Sequence, residues 1–81
     1  MTITVHTTPA CPQCLTTKRF LNRRQAQYVT VDLAANETAR AYAMDTLGFK
    51  AAPVVVIQDD DGNVMDSFNG FRPDLLAKYA A

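Results

Sequence analysis

Two cysteines stand three residues apart in Cys11-Pro12-Gln13-Cys14, and the chain has no others. Two thiols at this spacing can close into a disulfide, or pass between partners as one pair of electrons. Proline suits the first position of a helix, where its missing N–H would have no partner anyway. A helix is therefore expected from Pro12 to about Arg24, with Cys11 at or beside its N-cap. Free N–H groups and the positive end of the helix dipole favour an anion there, so a thiolate is stabilised. A free thiol has a pKa of about 8.5, and bringing it to about 7 needs roughly 2 kcal/mol. The dipole supplies about 0.3–1 kcal/mol at an exposed site, so N–H···S bonds from the first turn must supply much of the rest. Cys14 lies one turn further on, on the stripe it shares with Thr17, Phe20 and Leu21. That stripe has helical spacing and faces the interior. The expected roles are an attacking Cys11 and a resolving Cys14. Their Cβ atoms, about 5–6 Å apart on a regular helix, must approach to about 3.8 Å to bond, so the turn has to tighten and the bridge is expected to be labile.

The elements that must position this pair can be read along the chain. Thr2 to Thr7 alternates Ile3 and Val5 with polar residues and reads as a strand, broken by Thr8-Pro9-Ala10. Tyr28 to Asp32 is a β-branched run and a second strand. Asn36 suits an N-cap and Glu37 a first turn. Ala39, Tyr42, Ala43 and Leu47 follow on one helical stripe, which Gly48 ends. Val54 to Ile57 is continuously apolar, the pattern of a strand covered on both faces. Asp60-Asp61-Gly62-Asn63 reads as a hairpin turn, and Val64 to Phe68 as the returning strand. Asn69 to Arg72 is a loop, and Pro73 opens a last helix whose apolar contacts are Leu75, Leu76 and Tyr79. The order β-α-β-α-β-β-α predicts an α/β fold, with a mixed four-stranded sheet flanked by three helices. The first two strands should be parallel across a helical crossover, and the last two an antiparallel hairpin.

Size and charge narrow the function. Eighty-one residues, 48% of them apolar, make a globular chain and one expected domain, spanning residues 1–81. Eight basic residues balance eight acidic ones, which gives no reason to expect a nucleic-acid partner. No apolar run approaches the roughly 20 residues of a membrane span. The first residues carry no basic segment of a signal peptide, so a cytoplasmic location is expected. Thiols are kept reduced there, and a C-x-x-C pair is then redox-active or metal-binding rather than a structural staple. A zinc site needs four ligands as a rule, and beyond the cysteines the chain offers one distant histidine, His6. Only a ligand-sharing dimer could complete such a site, so no metal is assigned and a monomer is expected. A metal-bridged, non-catalytic interaction module is the reading set against the redox one.

Three motifs, in order, carry a resemblance over nearly the whole chain. They are Thr8-Pro9-Ala10-Cys11-Pro12-Gln13-Cys14, Ala52-Pro53-Val54-Val55-Val56 and Gly70-Phe71-Arg72-Pro73-Asp74. Together they resemble the thioredoxin superfamily, and within it the NrdH-redoxins, small glutaredoxin-like dithiol proteins. The resemblance implies a thioredoxin fold and a dithiol–disulfide oxidoreductase without a bound cofactor, working through a Cys11–Cys14 disulfide. It implies a cis Pro53 opposite the dithiol, with the Ala52 backbone offered to a substrate strand. Electrons would come from NADPH through the flavin enzyme thioredoxin reductase and pass to the large subunit of class Ib ribonucleotide reductase. Thr8, Pro12, Gln13, Ala52, Pro53, Val54, Gly70, Phe71 and Arg72 are the partner-binding residues so implied, with Pro73 and Asp74 in support.

Two departures from the family pattern are visible. Thr8 stands three before the first cysteine, where a lysine is usual, and no tryptophan precedes the Gly70 motif, where Phe68 stands nearby. Glutaredoxins usually carry a Gly-Gly pair and an acidic residue that hold the glutathione carboxylate, and here Asn69-Gly70 occupies that region. Cys-Pro-x-Cys is nonetheless common among glutaredoxins, so a glutathione-dependent glutaredoxin acting on protein mixed disulfides is the alternative. His6 is read as a packing or surface residue, and the cations Lys18, Arg19, Arg23 and Arg24 as a solvated helix face. Asp59 to Asp61 are read as exposed turn residues, and Arg72 and Asp74 as a pair that fixes the loop before the last helix.

Overall fold

The structure is a computed structural model and describes residues 1–80. The first strand, β1 (Thr2–Thr7), runs to a bend at Thr8–Ala10, and helix α1 (Pro12–Arg23) follows. Strand β2 (Val29–Asp32) leads to helix α2 (Glu37–Ala41), and strands β3 (Val54–Gln58) and β4 (Val64–Asn69) precede helix α3 (Pro73–Tyr79). The sheet order is β2-β1-β3-β4. β1 and β2 are parallel, with Val5 opposite Thr30, and β3 and β4 are antiparallel, with Val55 opposite Phe68. The expected elements and both pairings are present. The new fact is the central antiparallel pair of β1 and β3, with Val5 opposite Val55.

That pairing explains the apolar run in β3. Val54 through Ile57 are all buried, because β3 is an inner strand covered on both faces. Val55 and Ile57 join Ile3, Val5, Leu21, Phe68 and Leu76 in the cluster beneath α1 and α3. Val54 and Val56 face the other way, toward Leu33 and Ala43 and the half-buried Tyr42, Leu47 and Phe49. Alternation along a strand sends successive side chains to opposite faces, so one continuous apolar run serves two cores. β2 lies at an edge, leaves Val29 52% exposed and begins at Val29, one residue later than expected.

The second helix departs from the simple expectation. Asn36 caps it as predicted, its Oδ1 accepting the Ala39 N–H at 2.9 Å. From Tyr42 to Thr46 the turns widen to a π-helix before Gly48 ends the segment with φ +77°. The widening lets Tyr42, Ala43 and Leu47 keep their stripe against the sheet, and the Phe49 N–H closes the end on the Ala43 carbonyl at 2.9 Å. Glycine is suited to that left-handed closing position.

The β3–β4 turn is wider than the four residues expected, because Asp59 joins it. Its Oδ1 accepts the N–H groups of Asp61 and Asn63, each at 2.9 Å, and its Oδ2 accepts the Asn63 side-chain amide at 3.3 Å. These bonds favour the charged carboxylate, and Asp59, with the backbone bond from Asn63 as the largest cause, titrates below its usual range. A carboxyl whose folded pKa is depressed contributes stability above its unfolded pKa and loses it as pH falls through the folded one. Asp59→Ala should therefore lower the urea midpoint at about pH 7, and the gap from the parent should close toward about pH 2. Paired unfolding curves at the two pH values check this, and a gap that persists in acid would count against the carboxylate as its source.

Candidate functional site

The dithiol sits where β1 hands the chain to α1. Ala10 takes a left-handed conformation, φ +55°, and turns the chain so that Cys11 becomes the N-cap of α1 with Pro12 in its first turn. Cys11 and Cys14 are joined in a disulfide, with Cα atoms 5.2 Å apart. The Cys14 N–H points at Cys11 Sγ across 3.1 Å, so the first turn does supply a donor to this sulfur. The two sulfurs are unequal. Cys11 is half-buried at the rim, while Cys14 is only 2% exposed and faces the interior beside Thr17 and Leu21. Thr17 is tolerated in that apolar seat because its hydroxyl donates to the Gln13 carbonyl at 2.8 Å.

Two distant segments reach this helix end. The Ala52–Pro53 peptide is cis, as the resemblance implies, and the Pro53 carbonyl accepts the Gly70 N–H at 2.9 Å. The next N–H, that of Phe71, donates to Gln13 Oε1 at 3.2 Å. Gly70 has φ +78°, and a Cβ there would lie 3.3 Å from the same Gln13 oxygen, so glycine is needed both for the turn and for the close approach. The Phe71 ring meets Phe20 of α1 edge-on, centroids 5.9 Å apart, and Arg24 lies 4.8 Å over Phe20. Gln13, Pro53, Gly70 and Phe71 are thus brought together with the dithiol.

Other expected site residues stand elsewhere. Thr8, Ala52 and Val54 border a separate cleft of about 370 Å³ with Met44 and Phe49 and the cations Arg40 and Lys50. The side chains of Pro53 and Val54 are buried, and Val54 offers its carbonyl to His6 Nδ1 at 3.0 Å. His6 is therefore a packed strand residue. Pro12 is exposed at the helix start. Arg72 and Asp74 form an exposed two-bond ion pair, Nε to Oδ1 at 3.3 Å and Nη2 to Oδ2 at 3.1 Å. The side-chain bond holds Asp74 below the usual carboxylate range and raises Arg72. The structure adds one residue that sequence reasoning passed over. Leu15, next to Cys14 but off its stripe, is 46% exposed beside the dithiol. An apolar residue outside the buried stripe of a helix was the signal. Among the described residues, no three His, Cys, Asp or Glu side chains gather where they could hold a metal, and no helix is long and apolar enough to cross a membrane.

A redox-active cysteine pair at a helix start, opposite a cis-proline turn on a β2-β1-β3-β4 sheet, defines a thioredoxin-fold thiol–disulfide oxidoreductase. The Glutaredoxin family model matches residues 3–61. The chain belongs to the glutaredoxin family, among its NrdH-type glutaredoxin-like members. It is 39% identical over 80 residues to the glutaredoxin-like protein NrdH of Salmonella typhimurium, covering 94% of this chain and 85% of that protein. It is 32% identical over 74 residues to the Gene 56 protein of Mycobacterium phage D29, covering 91% of this chain and 77% of that protein. The solved structure of NrdH-redoxin from Escherichia coli superposes with a TM-score of 0.81 at 33% identity, covering 96% of this chain and 93% of that one.

Thr8 is exposed and carries no charge near the helix start. A cation there would favour the Cys11 thiolate over the thiol. Thr8→Lys should lower the Cys11 thiol pKa and speed alkylation of the reduced protein at neutral pH by about twofold to fivefold, the range of an exposed charge pair. Iodoacetamide kinetics against pH measure it, and an unchanged profile would show that the helix end alone sets the thiolate.

Proposed function

We propose that this oxidoreductase is an electron carrier, reduced by thioredoxin reductase at the expense of NADPH and oxidised by the large subunit of class Ib ribonucleotide reductase. The observation that carries the chemistry is the inequality of the two sulfurs: Cys11 half-buried with an N–H aimed at it, Cys14 inward. In the reduced protein the Cys11 thiolate attacks one sulfur of the partner disulfide. The other partner sulfur leaves as a thiolate, and a mixed disulfide joins Cys11 to the partner. Cys14 gives up its proton and attacks Cys11 Sγ, which releases the second partner thiolate and closes the Cys11–Cys14 bridge. Two electrons have then passed to the partner, and the reductase returns them by the reverse sequence.

The stretch after β4 supports this electron source over glutathione. Asn69-Gly70 stands where a Gly-Gly pair is usual in glutaredoxins, the Phe71 N–H is taken by Gln13, and Arg72 is already paired with Asp74, so neither the Phe71 N–H nor Arg72 is free to hold a glutathione carboxylate. The similar NrdH-redoxin from Escherichia coli has a thioredoxin-like activity profile. On this reading Thr8, Pro12, Leu15, Ala52, Gly70, Phe71 and Arg72 line the face that meets partners, and Pro73 and Asp74 hold the loop.

Two experiments test the proposal. Cys14→Ser should accumulate a mixed disulfide between Cys11 and the partner, visible as a reducible band on non-reducing gels, and Cys11→Ser should not. The reverse pattern would exchange the roles of the two sulfurs. For the electron source, reduction of a test disulfide is followed with NADPH and thioredoxin reductase, or with NADPH, glutathione and glutathione reductase. Turnover with the first system is expected, and turnover with the second alone would make the chain a glutathione-dependent glutaredoxin.

A further inference from the structure

Gln13, the amide residue between the cysteines, is exposed, yet its side chain is bonded to a distant segment. It occupies the second position of α1, where the Cα–Cβ bond tilts toward the helix N-terminus and carries the side chain past the dithiol toward the loop of Gly70 and Phe71. Its Oε1 accepts the Phe71 N–H at 3.2 Å and sits 3.3 Å from where a Gly70 Cβ would lie. No helix or strand ladder pairs these groups: the bond spans 58 residues and joins two exposed segments. Global stability therefore gains little from it. What it does fix is the position of a loop relative to a helix end, and that loop carries Phe71 and the Arg72–Asp74 pair.

We propose that Gln13 is a positioning residue and a determinant of partner specificity. Its amide oxygen latches the Phe71 loop onto the first turn of the dithiol helix and sets the face that a disulfide partner meets. The latch has three points. The Gly70 N–H holds the Pro53 carbonyl, the Phe71 N–H holds Gln13, and the Phe71 ring leans on Phe20. Of these, only the second is made by a side chain from within the Cys-x-x-Cys segment, so it alone ties the loop directly to the reacting pair. Losing it leaves the loop attached at Pro53 and Phe20 but free to move at Phe71. Both cysteines, the Cys14 N–H and the Thr17 bond remain, so a disulfide that does not touch the loop is expected to lose less than a partner that does. The proposal rests on the reading that the Phe71 loop meets the partner, and the test separates the two.

The test uses Gln13→Met, which keeps the length and removes the acceptor, and Gln13→Glu, which keeps an acceptor. Amide hydrogen exchange is measured on the oxidised protein, where no thiolate is present to be perturbed by the new charge. The Phe71 amide should exchange faster in Gln13→Met and stay protected in Gln13→Glu. With thioredoxin reductase, Gln13→Met should raise KM roughly threefold to tenfold, the worth of one ordinary hydrogen bond, at unchanged kcat. Its rate with hydroxyethyl disulfide, which makes no contact with the loop, should fall by less than its rate with thioredoxin reductase. On a Phe71→Ala background, where the backbone N–H remains but the ring is gone, the same substitution should add a smaller rise in KM. Equal protection of the Phe71 amide in Gln13→Met and the parent would overturn the latch. So would a KM rise that is undiminished when Phe71 is already alanine. If the parent itself takes no electrons from thioredoxin reductase, the functional reading fails, and the exchange measurement still decides whether the latch exists.

Discussion

A sulfur that is to hold negative charge needs donors aimed at it before the charge arrives. In this protein one donor is the Cys14 N–H, 3.1 Å from Cys11 Sγ, at the start of α1. The rest of the fold holds that helix end still. β1 delivers the chain to it, the left-handed Ala10 turns it, and Pro12 begins the helix without wasting an N–H. The stripe of Cys14, Thr17 and Leu21 then pins the helix to the sheet, with Leu21 fully buried against Val5, Val55 and Ile57. A helix seated this firmly leaves its first turn fixed, and the difference between the two sulfurs follows from that seat: one at the rim, one under it.

The second constraint is that a dithiol has to be read by its partners. Segments far apart in sequence are drawn to the same helix end by two hydrogen bonds, the Gly70 N–H to the Pro53 carbonyl and the Phe71 N–H to the Gln13 side chain. The first, made between backbone groups, is insensitive to most side chains, whereas the second depends on the Gln13 amide. Gly70 is the exception. Its positive φ strains any side chain there, and a Cβ would lie 3.3 Å from Gln13 Oε1 and push it back. The cleft beside Thr8 and Ala52, with Arg40 and Lys50 at its edge, is lined by Leu33, Ala43 and Val54 of the other core.

Much of this was legible in residue types and spacing. The proline after Cys11 marked the helix start, and the periodicity of Cys14, Thr17 and Leu21 marked its buried side. Asn36 and Gly48 marked the ends of the second helix, and the unbroken Val54–Ile57 run marked a strand covered twice. The π-helical stretch from Tyr42 to Thr46 was not legible. Its residues have ordinary helical preferences, and the widening answers to packing against the sheet. The part played by Gln13 was also hidden, since an amide side chain at the surface has no spacing that points to a partner 58 residues away.

Taken alone, then, the sequence determined the chemistry and the element order. Both depend on near neighbours: a thiol pair one turn apart, a proline, a cap, an alternation of apolar residues. Tertiary structure decided what is non-local. It placed β3 against β1, buried His6 and Val54, and brought Pro53, Gly70, Phe71 and Gln13 to one end of α1. The physical reason is that most hydrogen bonds between distant segments use backbone groups that any sequence has. Which of them form is settled by how two apolar faces of one sheet are covered, and that sum runs over the whole chain.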